Sequence, residues 1–199
     1  MTENQKDWMS EVWNTELYQQ YKKENFEILD KFLKTPPAKI LDIGCGLAWE
    51  SRMFNEKYGS ELWLLDGDYK DNDQKPEYSS QASWHHSADD FMYYYPLSKL
   101  KTELEKLDTK NYHLVDCNNL NFPEDVKFDL ITSWISCGFH YPVATYRDLI
   151  LKHSHENTVV VMDIRRKRKN ANFKIEEGIE IIEILNQRQK YATSVLKIL

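Results

Sequence analysis

The sequence predicts an α/β protein built on a mostly parallel sheet, and three observations carry that expectation. Short apolar runs of strand length alternate with longer helix-periodic segments along most of the chain. One of those runs, KILDI at 39–43, empties through two closely spaced glycines straight into a helix-like segment, a strand-turn-helix unit. The last two runs, Ile179 to Leu185 and Tyr191 to Ile198, alternate around Asn186-Gln187-Arg188 and read as an antiparallel hairpin closing the sheet.

The chain of 199 residues is long enough to bury a full core as one structural domain. We divide it into an N-terminal helical lid or extension, 1–38, and the α/β unit, 39–199. A hydrophobic share of 41% beside a charged share of 29% fits an ordinary globular protein. The net charge of −6 argues against general nucleic-acid binding, which neutralises phosphates with Lys and Arg. The first residues, MTENQKDW, lack a signal-peptide core, and no run has the length of a membrane span. Cys45, Cys117 and Cys137, an odd number at unrelated spacings, suit a reducing cytoplasm and are read as small packed residues rather than a metal set.

Taken in order, residues 6–34 read as helix in two pieces. Trp8, Val12, Trp13, Leu17 and Tyr21 share one face, Ile28, Leu29, Phe32 and Leu33 another, and Pro36-Pro37 stop the run. After the glycine turn, Ala48, Trp49, Met53 and Phe54 follow helical spacing, with Lys57 and Gly59 suited to the helix end. ELWLL at 61–65 is a buried strand ending in Asp66-Gly67-Asp68. The aromatic-rich stretch 69–95 is too long for an ordinary connection and reads as a cover over the ligand side of the sheet. Pro96 to Leu107 is a helix with a Leu97, Leu100, Leu104 and Leu107 stripe, Tyr112 to Val115 the third strand, and Phe128 to Ile135 the fourth. Pro142 suits the first position of a helix buried through Val143, Tyr146, Leu149 and Ile150, and TVVVMDI at 158–164 is a central strand covered on both faces.

The glycine turn limits the ligand. A dinucleotide fingerprint would place a third glycine where Trp49 stands. The pattern is instead Asp42, Gly44, Gly46 and Ala48, and an acid two residues before the first glycine repels a pyrophosphate while suiting a cation. Strand, acid, glycine pair and helix together resemble motif I of the class I S-adenosylmethionine-dependent methyltransferases. The resemblance covers Lys39 to Leu199 and implies a three-layer Rossmann-like methyltransferase fold: seven strands in the order 3-2-1-4-5-7-6, the last antiparallel. Two features depart from the family. HSHENT at 153–158 replaces the glycine-proline turn before the fifth strand, and no Asn-Pro-Pro-Tyr or Asp-Pro-Pro-Tyr signature follows the fourth.

The resemblance implies S-adenosyl-L-methionine as cofactor, held by Asp42, Gly44, Cys45 and Gly46, by Asp66 and Gly67 at the ribose with Asp68 as the alternative acid, by Asp116 and Cys117 at the adenine, and by Ser133 near the reactive group. Asp116 has a second reading, as a cap of the following turn. His140 is the candidate general base, since its ordinary pKa near 6.5 suits removal of a proton from a hydroxyl or amine. Trp84, His85, Tyr141 and Arg165 are candidate acceptor contacts, the last opening the basic run RRKRK. The expected activity is methyl transfer to a small polar or anionic molecule such as a sugar or nucleotide-sugar. Methylation of RNA or protein is the alternative, and a non-catalytic cofactor-binding subunit the rival of a different class. No metal or membrane partner is expected.

Overall fold

The computed structural model describes residues 15–67, 97–166 and 173–199, Tyr141 without its side chain. Trp8, Trp13, Asp68 and the stretch 69–95 with Trp84 and His85 lie outside the described residues, as do Lys167 to Lys169 of the basic run.

Helix α1 (Glu16–Phe32) starts at Thr15, whose Oγ1 accepts from the Tyr18 amide at 3.3 Å, and stops before the two prolines. Its inward stripe differs from expectation. Leu17 is 81% exposed, and the buried positions are Lys22, Asn25 and Leu29. The C-terminal half docks by apolar contact, Phe26 standing edge-on to Phe54 with ring centroids 4.7 Å apart. The N-terminal half docks by charge: Lys22 Nζ lies 2.9 Å from Glu50 Oε1, both side chains buried.

Strand β1 (Lys39–Ile43) leads through the glycine turn into α2 (Trp49–Tyr58), which ends at Gly59 as expected and is tied to α1 by Lys57 Nζ on Asp30 Oδ2 at 2.7 Å. Strand β2 (Glu61–Asp66), helix α3 (Leu97–Lys106) and strand β3 (Tyr112–Asp116) follow. In α3 Leu97, Leu100 and Leu104 are buried, whereas Leu107 falls past the helix end and is half exposed. Strand β4 (Phe128–Ser133) stops two residues earlier than expected, because Ile135 takes a left-handed conformation at φ 51° and turns the chain into a separate strand, β5 (Ser136–Tyr141).

Pro142 does not open an α-helix. Its extended ψ of 144° caps a 3₁₀ turn, Val143–Tyr146, that continues into α4 (Arg147–His153). Strand β6 (Ser154–Arg165) begins inside HSHENT, where Thr158 Oγ1 donates to the Phe128 carbonyl at 2.6 Å and accepts from the His155 amide at 2.8 Å. Those two bonds bridge the register shift between Phe128 and Leu130 and do the work of a glycine-proline turn. Strands β7 (Ile179–Gln187) and β8 (Tyr191–Ile198) form the antiparallel hairpin.

The sheet order is β3-β2-β1-β4-β6-β8-β7. With β5 lying outside it, this is the expected order 3-2-1-4-5-7-6. Leu41, Ile43, Ile131 and Met162 pack on one face, under Tyr146 and Ile150. Ile40, Leu64, Leu130 and Val161 pack on the other, under Leu29, Phe54 and Leu100 of α1, α2 and α3.

Breaking a buried ion pair from one side strands a charge, whereas removing both partners does not. Lys22→Met should therefore cost about 3 kcal/mol in urea unfolding, and Lys22→Met with Glu50→Leu should recover most of that loss; additive losses would show that the pair contributes nothing as a unit.

Candidate functional site

The order of the sheet reverses between β1 and β4, and open α/β sheets bind ligands beyond the strand ends at such a point. Here the chain concentrates its irregular backbone. Gly44, Gly46 and Ala48 all have positive φ, at 69°, 53° and 51°. The Leu65 carbonyl at the end of β2 accepts from the Gly44 and Cys45 amides at 2.7 and 3.1 Å. Gly44 has no room for any side chain, since a Cβ there would stand 1.8 Å from Ser136 Oγ.

Asp66, expected at the ribose, sits at the end of β2 with its carboxylate turned onto this turn: Oδ2 accepts from the Gly46 amide at 2.8 Å and Oδ1 from the Gly67 amide at 2.7 Å. Asp116 is its register partner on β3, so the two acids expected at ribose and adenine share one rim. Asp116 Oδ1 accepts from the Asn118 amide at 2.9 Å, which is the turn-capping geometry. The Cys117 amide is bonded to the Asp66 carbonyl at 2.9 Å, and the Cys117 thiol is buried. Burial and the nearby carboxylate of Asp66 push the Cys45 thiol well above its ordinary pKa, so it is an inert neutral group.

Asp42 faces inward beneath α1. Its Oδ2 accepts from Ser51 Oγ at 2.6 Å, and its Oδ1 is buried with no hydrogen-bond donor. Burial, reinforced by Glu50 and opposed by the Ser51 hydroxyl, Lys22 and the neighbouring Thr132 hydroxyl, pushes Asp42 up to about 7. Asp163 on β6, also fully buried, is pushed up to about 7 by burial and by Glu50, against hydrogen bonds from Thr193 and Ile135. The one buried ammonium among the described residues, Lys22, is held charged: burial lowers its pKa, but Glu50 together with the Tyr18 and Tyr21 hydroxyls raises it by more. Three buried carboxylates thus face one buried cation. Lys22, Glu50 and Asp163 are not among the residues expected from sequence, although a Lys and an Asn beside Leu29 on a core-facing helix stripe, and an Asp interrupting VVVMDI, are visible signals.

Ser133 is fully buried and serves the backbone. Its Oγ donates to the Ile43 carbonyl at 2.7 Å and accepts from the Cys137 amide at 2.8 Å. His140, on β5, is 8% exposed, its ring perpendicular to Phe139 at 4.9 Å. Phe139 in turn meets Tyr191 edge-on at 5.6 Å and lies 5.1 Å under the Arg165 guanidinium. The Tyr191 hydroxyl is bonded to that of Tyr21 on α1. His140 and Arg165, expected separately as base and acceptor contact, are therefore brought to one aromatic cluster on the rim through Phe139; Tyr141 follows on the same strand.

No family model and no curated protein matches the sequence. Solved structures do match. A protein from Pyrococcus horikoshii OT3 aligns at TM-score 0.54 and 18% identity over 79% of this chain and 59% of its own. A SAM-dependent methyltransferase from Aquifex aeolicus aligns at 0.51 and 14% over 85% and 86%. The plantazolicin methyltransferase BpumL, solved with SAH and a monoazolic desmethyl analogue, aligns at 0.52 and 14% over 82% and 54%. The chain has the class I methyltransferase fold. It spans less than two thirds of the length of the Pyrococcus horikoshii protein and of BpumL.

Two consequences can be measured. An acid raised from 3.8 to about 7 in the folded state stabilises the protein below its unfolded pKa and loses that stabilisation as pH rises through about 7. The stability of the wild type relative to Asp42→Asn should accordingly fall across that window, by at most about 1.4 kcal/mol per pH unit; a pH-independent difference would refute the raised pKa. Gly44→Ala should unfold more readily than wild type, Ser136→Gly should be tolerated, and the double variant should regain only part of the loss, because removing Ser136 Oγ clears the clash and leaves the strained φ.

Proposed function

We propose that this chain is an S-adenosyl-L-methionine-dependent methyltransferase acting on a small polar or anionic acceptor. The observation that carries the reading is the excess of buried carboxylate over buried cation at the sheet's reversal point, where Asp42 Oδ1 is left without a donor. An orphaned acceptor of this kind fits a ligand that brings its own positive charge, and the donor group carries an ammonium and a sulfonium. The two acids at the ends of β2 and β3 fit its neutral, hydroxyl- and amine-bearing end.

When bound, the donor supplies a methyl group on a positively charged sulfur that departs as a neutral thioether. The chain's part is to bind, orient and exclude water. Asp42 takes the cationic head, Asp66 the ribose hydroxyls, and Asp116 the adenine. Because charge is lost along the reaction, a fixed carboxylate at the sulfur gains little in the transition state, and placement of the acceptor dominates. His140 accepts the proton of a hydroxyl or amine acceptor, and Arg165 on Phe139 meets an anionic group of the acceptor. The BpumL structure, holding SAH beside a small azole compound, supports a small-molecule acceptor.

Calorimetric titration with S-adenosylmethionine and S-adenosylhomocysteine tests the reading: micromolar binding is expected, weakened about tenfold or more by Asp66→Ala. His140→Ala should abolish turnover with donor affinity unchanged. Absence of binding to both ligands would sink the proposal, and full activity of His140→Ala would remove that residue from the mechanism.

A further inference from the structure

We propose that Asp163 is a positioning residue of the donor site, holding the left-handed turn at Ile135 so that Ser136 presses the glycine turn into its binding shape. The inference rests on the methyl-transfer reading above and concerns a residue that touches neither donor nor acceptor.

Ile135 is β-branched, and φ 51° is costly for such a residue. Something must compensate. The Ile135 amide donates to Asp163 Oδ2 at 3.1 Å, and Asp163 is itself fixed from β8 by Thr193 Oγ1, which donates to Oδ1 at 2.7 Å. On either side the turn is anchored again, by Ser133 Oγ bridging the Ile43 carbonyl and the Cys137 amide, and by Gly138, where a Cβ would stand 3.1 Å from the Asp163 carbonyl oxygen.

The turn delivers Ser136 onto Gly44, occupying the space a Cβ there would need. Gly44 and Cys45 meanwhile give both amides to the single Leu65 carbonyl. A turn pinned by Asp163 on one side thus abuts the backbone that receives the donor on the other. Burying a carboxylate at 0% exposure costs several kcal/mol, and a strand in an apolar core has no packing need for it. Holding an otherwise disfavoured backbone conformation is the use the geometry gives it.

The test compares wild type, Asp163→Ala, Ile135→Gly and the double variant, reading S-adenosylhomocysteine affinity by calorimetry and hydrogen exchange at the Gly44 and Cys45 amides. Glycine adopts φ 51° at no steric cost and so needs no carboxylate to hold it there. Asp163→Ala should weaken binding about tenfold or more and speed exchange at both amides, and adding Ile135→Gly should restore both. Affinity of Asp163→Ala within about twofold of wild type, or a double variant no better than Asp163→Ala, would overturn the proposal. Should Asp163→Ala not fold, the double variant decides against Ile135→Gly alone: near-equal affinity supports the positioning role, while a further large loss, or failure of the double variant to fold, overturns it. If the wild type binds no S-adenosylhomocysteine, the methyl-transfer reading falls by itself. Exchange at Gly44 and Cys45 then judges the coupling, accelerated exchange in Asp163→Ala upholding it and unchanged exchange overturning it.

Discussion

Three carboxylates under one helix, with one ammonium among them, set the terms for the rest of this structure. Each ion withdrawn from water costs several kcal/mol unless it is paired and hydrogen-bonded, and the chain meets that cost differently for each. Glu50 takes Lys22 and Asn25 from α1, at 2.9 and 3.0 Å. Asp163 takes a hydroxyl from β8 and an amide from the β4–β5 turn. Asp42 takes the Ser51 hydroxyl on one oxygen and lies beside the Thr132 hydroxyl. The docking of α1, the start of α2 and the path of the chain after β4 therefore share one electrostatic problem, and a change at any of them alters the other two.

The placement of this polar cluster follows from the strands. On the face covered by α1, α2 and α3, Ile40, Leu130 and Val161 give way toward the strand ends to Asp42, Thr132 and Asp163. The apolar positions lock the register, and the polar ones two residues further on inherit that rigidity. A carboxylate so placed has little freedom to reorganise, which is what an electrostatic binding site requires. The opposite rim shows the contrast: Glu61 and Asp129 are partly exposed and meet Lys39, His113 and His155 in solvent-screened pairs that organise little.

Much of this was legible in the sequence because it depends on local pattern. The strand into Asp42, Gly44 and Gly46, the apolar run of β6 and the closing hairpin each announce themselves within a short contiguous stretch of sequence. Features that depend on what lies opposite were not legible. Nothing near Ile135 in the sequence marks a left-handed turn; its cause is an acid on β6, 28 residues away. Leu17 belonged by periodicity to an inward face, but α1 turns Lys22 and Asn25 inward because Glu50 waits there. Ser133 read as a ligand contact from its position near the end of the fourth strand, yet its donor and an acceptor site are taken by backbone groups of β1 and β5.

That fate of Ser133 separates the expected site residues by capacity. A hydroxyl has one proton and two lone pairs; in Ser133 the proton and one lone pair are in use, and the atom is sealed from solvent. A carboxylate has about four acceptor positions, which is why Asp66 can take the Gly46 and Gly67 amides together, one on each oxygen. Asp66 is thus the clamp that shapes the glycine turn, and any ligand that engaged it would compete with or reinforce the bond to Gly46. The shape of this rim therefore depends on side chains behind it as well as on Asp66: Ser136 fills the space against Gly44, and Asp163 holds the Ile135 amide of the turn that carries Ser136.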